Sequence, residues 1–362
     1  MKIIKLFDPH VDHEEKVIKK ILKSGFWASG AGIGAVSEFE YEFKKYTGAK
    51  ECVAVNSGTA ALHLALNLAE ITKREVILPS LSFVSTAHAI KYNGGIPIFA
   101  DIDENTLCVD YNAIEEKISP QTKIILPVHF GGMSCKLDEI LKICKRENLK
   151  LIEDAAHAAG SSYANKKIGS HGNSVCFSFH PVKNLAMPSG GAITLNDKNS
   201  KNNSKILKSL RWCGISNRKG PEYDVPHLGW NYYMNEFAAE IGIIQLKKLE
   251  RMNKRRKEIA RIYQNDLQVK LKMPFDKDCS YHLYWIQVND RNNLMKELKR
   301  NNIESGIHYK PIHQMTFYKN KKKLPITEKV AKKILSLPIH PNLSDSDVDK
   351  VIKIINKHYK LH

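Results

Sequence analysis

The alternation of short apolar runs with helical stretches through the first half of this chain constrains its fold more than any other feature. Runs at Cys52–Val55, Val76–Leu78, Ile96–Phe99, Ile124–Val128 and Leu149–Glu153 are strand-like. Between them, Ala60–Ala69, Thr86–Tyr92 and Leu137–Arg146 carry helical spacing. Strands that stay apolar without alternating are covered on both faces, so the expectation is an α/β fold with a mostly parallel central sheet flanked by helices. Two further strands, Val175–Phe179 and Ala192–Leu195, follow. Ahead of the sheet lie a helix over Glu14–Leu22, ending at Ser24-Gly25, and a second over about Val36–Tyr46 with Phe39, Phe43 and Tyr46 on one face. From about Asn231 a long charged helix runs to near Tyr263. Beyond it a strand near Tyr284–Val288, a helix from about Asn293 to Asn301 and a final helix from Ser344 to His358 make a smaller α+β unit. The boundary is placed near residue 250, giving a large domain over 1–250 and a small C-terminal domain over 251–362, a division that suits a chain of 362 residues.

Four motifs fall at the ends of these strands. NSGTAALHLAL begins at Asn56, PSLSFVSTAHAIKYNGG at Pro79 and IEDAAHAAGSSY at Ile152, while SVCFSFHPVKNLAMPSGGAITL spans Ser174 to Leu195. Asp154 closes a strand, so its carboxylate stands at the C-terminal edge of the sheet, where open α/β folds bind ligands. The same position also suits a helix N-cap. His157, three residues on, shares that face if the segment is helical. Ser57, Gly58 and Thr59 join a strand to a helix, whose free N–H groups and positive dipole end suit a phosphate, although a plain Ser/Thr cap fits there too. Phe83 opens a helix and is placed either to stack on a flat ring or to pack in the core. Lys183 follows a buried strand in a turn containing Pro181; by itself it reads as a loop lysine. Together the motifs supply a phosphate cradle, a stacking aromatic, a carboxylate for a ring nitrogen and an amine for an aldehyde. Those are the requirements of a pyridoxal phosphate (PLP) site.

Composition removes most rivals. The formal charge of +18 invites a nucleic-acid reading. The lysines, however, are scattered along helices such as LKKLERMNKRRKEIARIY from Leu246, and the KNKKKL run from Lys319 reads as a solvated loop. No nucleic-acid partner is expected, and a basic site suits an anionic substrate. The seven cysteines form no CxxC pair and read as free thiols of a reducing compartment. Neither HExxH nor a Cys/His quartet marks a metal site, Gly30, Gly32 and Gly34 do not make GxGxxG after a strand, and there is no Walker loop. No apolar run approaches the roughly 20 residues that cross a bilayer. The start, MKIIKLFDPHVDHEE, meets acid too soon for a signal peptide. A cytoplasmic location without membrane insertion is the expectation.

With these motifs in this order, the chain resembles the sugar aminotransferases called DegT/DnrJ/EryC1/StrS, within the fold type I PLP-dependent transferases. The likeness extends from the N-terminal helix to LSLPIHPNLSDSDVDKVI near the C-terminus. It implies that Lys183 is the amine that binds the cofactor aldehyde, that Asp154 partners the pyridine nitrogen, and that Phe83 lies over the ring. His157 stands beside the ring, where many members carry glutamine, and is expected to donate to its phenolic oxygen. Thr59 and Ser178 fall on phosphate-binding positions, with Ser57 and the Gly58–Thr59 backbone helping. LGWNYYMNEFAAEIGIIQLKKLE, from Leu228, matches the element that reaches into the neighbouring subunit, so Asn231 is expected at the partner's phosphate in a homodimer with shared active sites. IESGIHYKPIHQ, from Ile303, is similar to the substrate-facing loop. His308, Tyr309 and His313 are then candidates for sugar or pyrophosphate contacts, and Lys310 and Arg211 for the phosphates. Two departures from the family pattern, Pro188-Ser189-Gly190-Gly191 and Trp212-Cys213-Gly214, are expected close to the sugar.

The implied activity is transfer of an amino group from L-glutamate to a keto carbon of a nucleotide-linked deoxysugar, in two half-reactions in which Lys183 moves the proton. The SFHPVK run favours a 4-keto over a 3-keto sugar. Besides the same aminotransferase chemistry on a cyclitol or an amino-aromatic precursor, two alternatives stay open. One is a PLP-dependent dehydratase on the same fold, whose members carry histidine in place of the lysine, with His180 nearby. The other is a non-catalytic regulatory or binding protein that reuses the fold.

Overall fold

The computed structural model describes residues 2–319 and 323–360; residues 320–322, inside the basic run from Lys319, lie outside the described residues. The chain opens with α1 (Glu14–Ser24) and α2 (Ala35–Thr47). Strand and helix then alternate as the apolar runs require: β1 (Glu51–Val55), α3 (Gly58–Leu68), β2 (Glu75–Pro79), α4 (Ser85–Tyr92) and β3 (Ile96–Ala100). The rhythm continues through α5 (Tyr111–Glu115), β4 (Thr122–Ile125), α6 (Leu137–Arg146) and β5 (Lys150–Asp154). A small hairpin of β6 (Ser162–Tyr163) and β7 (Lys166–Lys167) leads to β8 (Ser174–Ser178) and β9 (Gly191–Leu195).

Seven strands make one sheet in the order β1-β9-β8-β5-β4-β2-β3. The pairs from β8 across to β3 are parallel. β9 runs antiparallel between β1 and β8, so β1 and β8 point the same way. The C-terminal ends of β1, β8, β5 and β2 therefore share one edge of the sheet, and the four motif segments leave from it.

Side chains alternate along each strand. Val53 and Val55 pack with Ala61, Leu62 and Leu64 of α3 on one face, and Cys52 and Ala54 pack with Phe39 and Phe43 of α2 on the other. Phe43 is fully buried, edge-on to Phe177 and Phe179 at centroid distances of 5.0 and 5.2 Å. Truncating such a side chain to alanine costs about 3–5 kcal/mol.

After β9 come α7 (Ser200–Leu210), a hairpin of β10 (Ser216–Lys219) and β11 (Glu222–Asp224), and the 31-residue helix α8 (Glu236–Asp266). Asn235 caps α8, its Oδ1 accepting from the Ala238 N–H at 2.8 Å. Residue 250 falls within this unbroken helix. The C-terminal unit is built from β12 (Leu271–Lys272), β13 (Tyr284–Gln287), α9 (Arg291–Arg300), α10 (Pro325–Lys333), β14 (Ile334–Leu337) and α11 (Asp345–Lys360). Its three strands form a separate antiparallel sheet. The N-terminal segment is stitched to this unit: Ile4 bridges Ile303, the Leu6 N–H donates to Glu304, and His340 Nε2 donates to the Lys5 carbonyl. That stitching brings Phe7 toward the sheet edge. All seven cysteines are free. Among the described residues no helix is long and apolar enough to cross a membrane, and no group of three or more His, Cys, Asp or Glu side chains could hold a metal.

Candidate active site

A cavity of about 320 Å³ opens at the shared edge. Ser57, Gly58 and Thr59 at the start of α3 form part of its wall, as do Phe83, Asp154, His157, Ser178 and Lys183. From the C-terminal unit come His282, His308 and Tyr309, and from the N-terminal segment Phe7. Two glycines allow the strand ends to converge. A Cβ on Gly58 would lie 2.6 Å from that of Ser178, and one on Gly191 would lie 2.4 Å from the Ser57 carbonyl oxygen. Ser57 caps α3, its Oγ accepting from the Ala60 N–H at 3.1 Å. The first N–H groups of a helix have no intrahelical acceptor, so with the Thr59 and Ser178 hydroxyls the α3 start offers a donor cradle suited to a phosphate.

Asp154 is buried at the end of β5, where its oxygens accept from Thr86 Oγ1 at 2.8 Å and from the Ala156 N–H at 3.1 Å. Burial pushes its carboxyl above the usual range; the two hydrogen bonds and the Lys183 charge oppose that. The strand end is fixed from behind. Asp154 N–H donates to the Pro127 carbonyl, and His129 N–H donates to that of Asp154. The buried His129 ring accepts from the Cys135 N–H at Nδ1 and so donates from Nε2 to Glu153, at 2.8 Å. A ring nitrogen needing a carboxylate would find Asp154 held in one orientation.

Lys183 points its Nζ to His282 Nε2 at 3.4 Å. Burial holds the amine down to about 8, with Asp154 pulling the other way. Phe83 is 57% exposed and free to cover a flat ring. His157 differs in detail from its expected role. The Gly131 N–H donates to its Nδ1 at 3.2 Å, and burial keeps the ring neutral, well below its usual pKa, so its one proton sits on Nε2. That proton is directed to the Tyr309 hydroxyl at 3.1 Å. Tyr309 is thereby left with its own O–H to donate elsewhere.

Four expected site residues do not join this cavity wall. Arg211, expected at substrate phosphates, is fully buried at the end of α7, where it donates to Glu40 at 2.5 Å and to the Ala54 carbonyl at 2.6 Å. His313 is also buried away from the cavity. Its N–H donates to Ser80 Oγ, the Ser80 hydroxyl donates to its Nδ1 at 2.7 Å, and its Nε2 meets Glu328 at 3.3 Å. It fastens the loop that carries His308 and Tyr309 to the end of β2. Lys310 is exposed beyond that loop; Asn231, expected at the partner's phosphate and not in its own chain's cavity, is exposed and bridged to Trp212. Of the two departures, Ser189 lines the cavity and donates to the Asn56 carbonyl, whereas Trp212-Cys213-Gly214 does not line it. His282 and Phe7 also line the cavity, and sequence reasoning did not single them out. The signal for His282 was a histidine just before β13, and for Phe7 an aromatic following the apolar Ile3, Ile4 and Leu6; neither spacing points to a site.

Residues 10–356 match the DegT/DnrJ/EryC1/StrS aminotransferase family. The chain is similar to the spore coat polysaccharide biosynthesis protein SpsC of Bacillus subtilis, with 38% identity over 371 residues covering 96% of this chain and 95% of SpsC. It superposes on PseC of Helicobacter pylori, an aminotransferase involved in the biosynthesis of pseudoaminic acid, with a TM-score of 0.92 and 29% identity over 100% of both chains. Spr1654 of Streptococcus pneumoniae, described as a sugar aminotransferase and solved in a PMP form, gives a TM-score of 0.93 at 27% identity over 99% of both chains. The chain belongs to the DegT/DnrJ/EryC1/StrS family of PLP-dependent sugar aminotransferases.

Proposed function

We propose that this protein transfers an amino group from L-glutamate to a keto carbon of a nucleotide-linked deoxysugar, with a 4-keto sugar favoured over a 3-keto one. The observation that carries the reading is the convergence of one half-buried amine, Lys183, and one buried carboxylate, Asp154, on a cavity whose wall includes a helix start. The residues fit PLP: α3 and Ser178 suit its phosphate, Phe83 its ring face and Asp154 its ring nitrogen. When bound, PLP supplies an aldehyde for the amino group and a ring that draws electrons from the carbon losing its proton. The chain's own contribution is positioning and proton transfer. Asp154, fixed by Thr86 and Ala156, favours a protonated ring nitrogen. Lys183, with its pKa lowered to about 8, takes a proton from the donor carbon and returns it to the acceptor carbon. Tyr309, receiving the His157 proton, is set to donate to a substrate oxygen.

The acceptor class draws support from His308 and Tyr309 on the cavity wall and from the exposed Lys310 beside them. The 4-keto preference rests on the SFHPVK run. The dimer with shared sites draws support from exposed apolar groups near Asn231, among them Leu228 at 87% and Val225 at 52% exposure. The dehydratase alternative needs a histidine where Lys183 stands; His180 lines the cavity but is exposed.

Absorbance of the PLP-loaded protein, followed through addition of L-glutamate and then of a panel of keto nucleotide sugars, tests the reading. Glutamate should convert the cofactor band to that of the amine form, and one 4-keto sugar should restore it. A band that glutamate leaves unchanged, or that only 3-keto sugars restore, overturns the corresponding part.

A further inference from the structure

His282 lies in the C-terminal unit, just ahead of β13, and is separated from Lys183 by 99 residues of chain. Its Nε2 nevertheless stands 3.4 Å from the Lys183 Nζ, at the long end of hydrogen-bond reach. Three sets of contacts hold the two residues to each other. The His282 ring is stacked with Phe7, at 5.5 Å between centroids and 17° between planes, and packs on the His157 ring at 4.4 Å. The backbone on either side of it is pinned: the Leu283 N–H donates to the Gly131 carbonyl, and the Ser280 N–H donates to Ser161 Oγ. Asn184, the residue after the lysine, is buried and donates from Nδ2 to the Ser280 carbonyl at 2.8 Å and to Asn253 Oδ1 at 2.9 Å. The loop bearing the lysine and the segment bearing the histidine are therefore hydrogen-bonded directly beside the pair.

We propose that His282 is the positioning residue for Lys183, a fixed acceptor that holds the free amine at one point of the cavity wall whenever that amine is not engaged with the cofactor. The inference rests on the reading of Lys183 as the working amine. A lysine amine on a four-carbon stem samples many rotamers, and an acceptor with a clamped ring selects those that keep Nζ where a proton must move. The groups facing the pair are Asp154 from β5, His157, His308 from the C-terminal unit and Arg256 from α8. Burial, followed by the charges of Lys183, His157, His308 and Arg256, keeps His282 well below its usual pKa. It is thus a neutral ring, and because an ammonium can only donate, the ring accepts the Nζ–H at Nε2 and carries its own proton on Nδ1.

Two variants separate this role from simple packing. His282→Gln keeps an acceptor and loses the ring; His282→Phe keeps the ring for Phe7 and His157 and loses the acceptor. In the cofactor-free protein, acetic anhydride labelling of Lys183 is read by peptide mass spectrometry as a function of pH. The labelling midpoint should stay in place for His282→Gln. It should fall by about one pH unit for His282→Phe, because the ammonium, the stronger donor, loses its acceptor. In the PLP-loaded protein, the single-turnover rate with L-glutamate should fall ~10-fold or more in His282→Phe and stay within ~3-fold in His282→Gln, with the glutamate half-saturation unchanged in both. A phenylalanine variant that matches wild type, or that outperforms the glutamine variant, overturns the proposal. If His282→Gln fails to fold, an unchanged labelling midpoint in His282→Phe alone overturns it. If the wild-type protein takes up no PLP, the functional reading fails, while the labelling experiment still decides whether the two side chains are paired.

Discussion

Glu40 should prove a stability residue, and its replacement tests where Arg211 belongs. The Arg211 guanidinium is fully buried, its Nε and Nη2 have no hydrogen-bond partner among the described residues, and Nη1 donates to Glu40 Oε1 at 2.5 Å. Glu40 also accepts from the Ala54 N–H at 2.9 Å and pairs through Oε2 with Lys208 at 2.8 Å. The Lys208 side chain is 41% exposed, so water screens that arm and Arg211 dominates the interaction. Glu40→Gln preserves shape and the Ala54 contact but leaves a buried cation without a carboxylate. Removing one partner of a buried pair costs about 3–5 kcal/mol. Adding Arg211→Met to Glu40→Gln should recover much of that loss, because an apolar replacement of both members is often close to neutral. The assay is urea unfolding of the two single variants and the double variant, alongside the sugar KM of each. An Arg211→Met protein of wild-type stability with a raised KM would refute the reasoning and return Arg211 to the substrate phosphates.

Phe83→Ala should leave stability within about 0.5 kcal/mol, since that side chain is 57% exposed, and should weaken PLP binding ~3–10-fold by titration; unchanged affinity would remove the ring from its assigned place. With its pKa near 8, Lys183 is neutral in roughly a tenth of molecules at pH 7 and roughly nine-tenths at pH 9. In the cofactor-free protein, acylation of Lys183 should therefore rise with pH through about 8, and a profile that rises only near the ordinary lysine value of 10.5 would contradict the assignment. His313→Ala breaks the links to Ser80 and Glu328 and should cost about 1–3 kcal/mol in thermal or urea unfolding while the PLP band is retained; loss of the band would place His313 at the cofactor. Gly58→Ala would set a Cβ 2.6 Å from that of Ser178 and should impair PLP loading, whereas full loading would show that the α3 start is looser than its geometry.

The fold was legible where one residue pattern has one physical outcome. Apolar runs such as Cys52–Val55 became strands because both their faces are covered by helices, and the observed β1 begins one residue earlier, at Glu51. The reversed direction of β9 could not be read, because Ala192–Leu195 is apolar whichever way it runs. Helix α7 was passed over because SKNNSKILKSL is mostly polar and buries little beyond Leu207 and Leu210 among its apolar side chains. That Asp154, Ser57 and Phe83 line the cavity was legible because chain order places each one at or just after a strand end, at the edge where open α/β folds bind ligands. Arg211 was misassigned because its partner Glu40 lies 171 residues away, and no local pattern tells a buried cation from a substrate-binding one. His282 escaped for the same reason: its meaning comes from a lysine and a phenylalanine brought to it from distant parts of the chain.

The central claim is that Lys183 carries the cofactor, and the direct test is chemical. The PLP-loaded protein is reduced with borohydride, digested and mapped by mass spectrometry. The account predicts a pyridoxyl adduct on the peptide containing Lys183 and no adduct in Lys183→Ala. An adduct on another lysine, or undiminished labelling in the variant, would contradict it.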